Sequence, residues 1–266
     1  MANSKYTRQT VTGIHTWIPG KLLSLRVDRD PAFHFQAGQF ARIGVTFDES
    51  LDALPTLWRA YSMVSAPHQP WLEFYSIIVP EGQFSPRLAR LQAGDPIYIE
   101  KQAYGFLTLD RFSAGDSLWL LATGTGLSAY MSMLRDPATW QAFRCIVLVH
   151  GVRTAEEFAY RDEIQRLQQD SGKASADKMR ATCKLVYLPI ATREPIPGMP
   201  QARLPTLIED GRLEQLAGEK LDPTTARIML CGNPAMLAEA RKQLAQRGFA
   251  PGRRGVPGNL AVENYW

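Results

Sequence analysis

The stretch that decides the fold is Ser117–Asp136, "SLWLLATGTGLSAYMSMLRD". It opens with a short apolar run of strand type, closes with a helix-type segment, and places two glycines between them. Gly124 and Gly126 let backbone N–H groups approach a ligand closely, and a helix N-terminus behind them favours negative charge. That describes a phosphate cradle at the carboxyl end of a parallel strand. An ordinary strand-to-helix turn uses the same residues, and the loop is not a full G-x-G-x-x-G, so the stretch alone leaves both readings open.

Downstream of it strands keep alternating with helices: "FRCIVLVHG" then "AEEFAYRDEIQRLQQ", "CKLVYLP", and "ARIMLCG" then "AMLAEARKQLAQ". Such alternation predicts an α/β parallel sheet with helices on its faces. Upstream the rhythm is different. "LLSLRV", "GQFARIGV", "RAYSMV", "LEFYSIIV" and "DPIYIE" are short runs with period-two alternation in several of them, which predicts a small antiparallel β-barrel. One short helix is expected at "SPRLARL", with Ser85 as N-cap and Pro86 at the first helical position. The expected organisation is therefore two domains, residues 1–110 and 111–266, joined near Thr108–Ala114.

Composition bounds the partners. The chain has 266 residues, 45% of them hydrophobic and 21% charged, enough for two ordinary cores and too apolar for wholesale disorder. A formal net charge of +4 favours anionic partners in general, and its even spread argues against nucleic acid. Cys145, Cys183 and Cys231 lie far apart, with no C-x-x-C pair and no His at ligand spacing, so no metal site is expected. The odd cysteine count suits a reducing compartment, the start "MANSKYTRQT" lacks an apolar signal region, and no run approaches a membrane span. A cytoplasmic monomer with no membrane attachment is the expectation.

Several residues point to chemistry. Arg153 follows "VLVHG" and Arg193 follows "LVYLPIAT", so both leave neighbouring strands at one edge, and Arg203 precedes "LPTLIED". Guanidiniums so placed can bind a phosphate in bidentate fashion, the 2′-phosphate of a dinucleotide ribose being the natural candidate; any one of them alone reads equally as a solvated loop arginine. "MLCGNPAM" puts Cys231 at a strand end and Asn233 and Pro234 at a helix start, although a buried Cys is usually just a small hydrophobe. Tyr265 and Trp266 end the chain, and two aromatics there either pack on the core or cover a flat ligand. In the first half, Tyr75 on a strand precedes the turn Glu81–Ser85, whose Gln83, Phe84 and Ser85 N–H groups face out of a helix start. Arg59 and Tyr61, on one face of "WRAYSMV", suit an anion and a flat ring near that second turn.

Together these residues resemble the ferredoxin–NADP reductase family, and its bacterial flavodoxin/ferredoxin branch in particular. "RAYS" is similar to the flavin motif R-x-Y-S/T, "ATGTG" to the NADP pyrophosphate loop, "CGNP" to the nicotinamide-side motif, and "VENYW" to the bacterial C-terminus. The resemblance implies an FAD-binding barrel, an NADP(H)-binding α/β domain, and a ferredoxin or flavodoxin as an acidic electron-carrier partner. It implies that Arg59, Ala60, Tyr61 and Ser62 bind FAD with Tyr75, Gln83, Phe84, Ser85, Thr125, Tyr265 and Trp266. It assigns NADP to Gly124, Thr125, Gly126, Val152, Arg153, Thr192, Arg193, Arg203, Asn233 and Pro234. Ser62, Cys231, Glu263 and Tyr265 would surround the hydride path. The family's loop usually ends in proline where this chain has Ala129. Arg253 and Arg254 are candidate docking cations that match no motif. A non-catalytic dinucleotide sensor and the reductase component of an oxygenase are the alternatives; a hydrolase is disfavoured because Ser128 lacks a G-x-S-x-G elbow.

Overall fold

The computed structural model describes residues 4–46, 54–173, 182–253 and 256–264. Tyr265, Trp266 and Arg254 lie outside the described residues, and so do the roles expected of them.

Six antiparallel strands make up the first half: β1 (Tyr6–Ile18), β2 (Leu22–Asp28), β3 (Phe40–Val45), β4 (Leu57–Ser62), β5 (Trp71–Ile77) and β6 (Pro96–Glu100). Their order is β4-β3-β6-β1-β2-β5, and the two end strands meet through a bridge between Met63 and Phe74, so the sheet curls into a nearly closed barrel. Its interior is apolar, with Val11, Leu25, Ile43, Leu72, Phe74 and Ile97 all at most 1% exposed. Strand β1 was not foreseen. It is "YTRQTVTGIHTWI", and Val11 is its one buried hydrophobic residue, so hydrophobic alternation is nearly silent there although the strand pairs on both sides.

The short helix is displaced from its expected start. Helix α1 spans Ser85–Leu88 with Phe84 as N-cap, and no side chain caps it. Ser85 Oγ instead accepts the N–H of Val79 at 2.8 Å, which ties the helix to the chain leaving β5.

The second half is a parallel sheet of order β11-β10-β7-β8-β9, built from β7 (Ser117–Thr123), β8 (Cys145–Val152), β9 (Lys184–Ala191), β10 (Ala226–Cys231) and β11 (Leu260–Glu263). Alternate residues serve opposite faces, as strand geometry demands. Leu118, Leu120, Ile146 and Leu148 face helices α2 (Leu127–Arg135), α3 (Pro137–Ala142) and α4 (Arg161–Asp170). Trp119, Leu121, Val147 and Val149 face α5 (Leu204–Glu209), α6 (Arg212–Ala217) and α7 (Pro234–Gln246). The first of these cores also takes in Leu22, Val64 and Tyr75 from the barrel, so the two halves share an apolar seam.

The helix expected over residues 155–169 is broken. A single 3-10 turn covers Ala155–Glu157, and α4 begins only at Arg161 because Tyr160 adopts a left-handed backbone, φ 60°. That conformation turns Tyr160 into the seam, where its ring packs on Trp17 and edge-on to Tyr75.

Candidate functional site

Two clefts open side by side at the carboxyl edge of the parallel sheet, one of about 350 Å³ toward the barrel and one of about 740 Å³ toward the sheet. Tyr75, Ile77, Val79 and Thr125 line both, so the cavities meet along one boundary.

The smaller cleft collects the barrel residues expected at a ring-binding site. Strand β4 contributes Arg59, Ala60, Tyr61 and Ser62, and the turn into α1 contributes Gln83, Phe84 and Ser85. Tyr61 stacks on Phe84 with ring centroids 5.7 Å apart, and its hydroxyl lies 3.0 Å from Ser76 Oγ. Burial pushes the phenol pKa up, against a smaller opposing pull from the Ser76 hydrogen bond. The ring is thus a fixed, neutral, flat wall. Arg59 is exposed at the rim, and its Nη1 donates to the carbonyl of Trp58 at 2.8 Å, leaving its remaining donors for an anion. Ser76, Ile77, Val79 and Ser128 also line this cleft and were not foreseen. Alternation along β5 gave no signal for Ser76, because period two sends neighbours such as Tyr75 and Ser76 to opposite faces, and both reach the cleft only at the strand's end.

The glycine loop shapes the larger cleft. Gly124 has φ +54°, and Gly126 passes so close to the end of β10 that a Cβ would sit 2.5 Å from the Cys231 carbonyl oxygen. Gly232, φ +135°, passes Thr123 at similar range. Two chain segments therefore cross in contact at the head of α2, which only glycine permits. His150 supports the crossing from below: it is fully buried, its Nε2 is 3.2 Å from the Gly124 carbonyl, and burial lowers its pKa to about 4. It is neutral at physiological pH, and Nε2 donates. Asn233 caps α7 through Oδ1, accepting from the N–H groups of Ala235 and Met236, while its own N–H donates to Thr123 Oγ1 at 2.8 Å. Ala129 is fully buried within α2; the helix starts at Leu127 without a proline.

Val152, Arg153, Thr192, Arg203, Asn233 and Pro234 line the larger cleft, as does Gly124. Gly126 lies on the wall of the smaller one instead. Arg193 lines neither; its N–H is bonded to the Arg153 carbonyl at 2.9 Å, and its side chain is exposed just beyond the wall. Lys21, Leu22 and Glu157 line the larger cleft unforeseen, because Lys21 comes from the β1–β2 turn of the barrel and arrives only through tertiary packing.

Two residues expected on a hydride path stand off the cleft walls. Cys231 is fully buried in the core behind the loop, and burial pushes its thiol pKa far up. Glu263 is 7% exposed. Its Oε1 accepts the N–H of Phe106 at 2.5 Å, and burial raises its pKa to about 7.

Residues 120–242 match the model of the oxidoreductase NAD-binding domain. The chain is 38% identical to a ferredoxin–NADP reductase A of Sorangium cellulosum, with 97% of this chain and 89% of that protein covered. A flavodoxin/ferredoxin–NADP reductase of Escherichia coli is 36% identical, with 96% and 97% covered. The chain belongs to the ferredoxin–NADP reductase family. A solved ferredoxin NADP+ reductase from Neisseria gonorrhoeae, with bound FAD and NADP, shares the whole architecture of this family member at TM-score 0.88 and 31% identity, with 99% and 100% of the two chains covered. The paired clefts of this reductase-family chain also suit two ligands chemically: one has an aromatic wall with hydroxyl and arginine donors at its rim, the other a glycine loop facing cationic side chains.

Proposed function

We propose that this chain is a flavoenzyme that moves a hydride between NADP(H) and FAD and single electrons between FAD and a ferredoxin or flavodoxin. The observation that carries the reading is the shared boundary of the two clefts at Tyr75, Ile77, Val79 and Thr125, because hydride transfer requires its two ligands in contact there. The flavin supplies the conversion between two-electron and one-electron chemistry, which no amino-acid side chain offers here.

The chain's own residues do the rest. Tyr61, braced by Phe84 and Ser76, holds a ring in plane and excludes water from one face. Ser62, 8% exposed on the cleft wall, offers a hydroxyl to the ring edge. Arg59 and the Gln83–Ser85 turn take the phosphates of FAD. The Thr123–Gly126 loop receives the nicotinamide dinucleotide's pyrophosphate, and Arg153 and Arg203, whose charges favour an extra anion, discriminate for its 2′-phosphate. We assign the flavin-binding domain to residues 1–110 and the nucleotide-binding domain to 111–266, and a monomer in the cytoplasm as the working form. Among the described residues no helix is long and apolar enough to cross a membrane.

The test is a visible spectrum of the purified protein before and after anaerobic addition of NADPH or NADH. A yellow protein bleached far more readily by NADPH is the expected result. A colourless protein that takes up no FAD overturns the reading in favour of a non-catalytic dinucleotide binder.

A further inference from the structure

The larger cleft contains a carboxylate where an anionic ligand is expected. Glu157, its side chain 12% exposed, sits on the wall beside Arg153. Left bare, it would repel a dinucleotide phosphate. It is not bare: Lys21 reaches across from the barrel, and its Nζ lies 2.6 Å from Glu157 Oε1 and 3.6 Å from Glu156 Oε1. The ion pair spans the cleft, joining the β1–β2 turn to the 3-10 turn after β8.

Three features argue that this pair is exchangeable. The Lys21 side chain is 35% exposed, and ion pairs of that exposure contribute about 0–1 kcal/mol. The other Glu157 oxygen accepts the Arg153 N–H at 3.1 Å, so the carboxylate keeps a partner if the lysine leaves. The backbone of Lys21 is pinned, with its carbonyl accepting from the Ile78 N–H at 2.8 Å, so only the flexible stem has to swing. A lysine on such a stem is a mobile point charge with three donors, suited to a phosphate that arrives from solution.

We propose that Lys21 is a phosphate ligand of the bound dinucleotide, parked on Glu157 until the nucleotide arrives, and that Glu157 is an internal competitor that weakens nucleotide affinity. This rests on the dinucleotide reading of the cleft given above. Binding exchanges one ion pair for another, which keeps the nucleotide from being held too tightly and sets its exit as well as its entry.

The two partners then have opposite signs, which a merely structural latch would not produce. The full-length FAD-loaded protein is titrated with NADP+ and, separately, NAD+, following the flavin difference spectrum. Lys21→Met raises the NADP+ dissociation constant about three- to tenfold, and Glu157→Gln, which retains the acceptor for the Arg153 N–H, lowers it by a similar factor. Lys21→Arg restores most of the affinity. An effect of Lys21→Met on both nucleotides assigns the contact to the pyrophosphate; an effect on NADP+ alone assigns it to the 2′-phosphate. Either way Glu157→Gln binding steepens in its dependence on salt, because the freed ammonium displaces more counterions.

Equal constants for wild type, Lys21→Met and Glu157→Gln overturn the proposal, and so do increases in both variants, which mark a structural bridge. If Lys21→Met loses FAD, Glu157→Gln alone decides by its sign. A wild-type protein that binds FAD but no NADP+ overturns the functional reading itself, which separates the two failures.

Discussion

The hydroxyl of Tyr160, at the head of α4, donates to the Glu73 carboxylate of barrel strand β5 at 2.8 Å. The same carboxylate accepts from Arg135 of α2 at 3.1 Å and from Arg26 at 3.2 Å, and Ser24 Oγ lies 2.5 Å from the Tyr160 oxygen. Arg135 also holds Glu163 through two bonds of 2.8 Å. One buried acid thus gathers both halves of the molecule around it.

Arg135→Ala removes the one strongly buried cation from this group, and breaking a buried pair typically costs about 3–5 kcal/mol because a charge is left stranded. Arg26, half exposed, compensates for part of that. Chemical denaturation of the variant is expected to show a loss of roughly 2–4 kcal/mol, with Arg135→Lys intermediate. A loss no larger than that of an exposed ion pair would place the stability of the seam in its apolar contacts.

Gly126→Ala tests the crossing of the loop with β10. A Cβ would meet backbone, the Cys231 carbonyl at 2.5 Å, with no flexible side chain to give way. Overpacking of this kind costs about 1–3 kcal/mol. The expected readout is a lowered melting temperature together with a raised KM for NADPH, since the shifted loop lies against both clefts. An unchanged KM would separate the loop from the nucleotide.

Glu263 gives stability a pH dependence whose sign is fixed. Its carboxyl titrates at about 7 in the fold against 4.5 for the ordinary group. The group's contribution is therefore fully present below about pH 4.5 and is lost as pH rises through about 7. Glu263→Gln, which keeps the acceptor for the Phe106 N–H, is expected to be more stable than wild type at pH 8 by up to about 3 kcal/mol, with the difference vanishing near pH 4.5. Matched denaturation curves at both pH values check this, and a constant offset would remove Glu263 as its source.

The arginines are expected to rank by position. Arg153→Ala and Arg203→Ala raise the NADPH KM about tenfold while hardly changing that for NADH, given the usual worth of charge-assisted contacts. Arg193→Ala has a smaller effect, because its side chain stands beyond the cleft wall. Steady-state kinetics with both nucleotides decide the order.

Much of the site was legible because its signals are local. "RAYS", "ATGTG" and "CGNP" each put a required side chain or glycine on a strand end or turn, and strand periodicity alone places Arg59 and Tyr61 together on one face. What escaped the sequence was set by packing. β1 is half solvated and carries little hydrophobic pattern. The helix expected over residues 155–169 breaks because Tyr160 gains more by turning into the seam than by continuing the spiral. Lys21 and Glu157 lie 136 positions apart in the chain, and no pattern in either neighbourhood announces the other.

The acid at the seam bears on how such chains can be recombined. Glu73 is answered by Tyr160 and Arg135 from the nucleotide half and by Arg26 from the barrel. A chimera that grafts a foreign nucleotide half onto this barrel keeps Arg26 but loses Tyr160 and Arg135, the buried partners of the acid, so its weak point is the graft line, even when each half carries an intact binding motif.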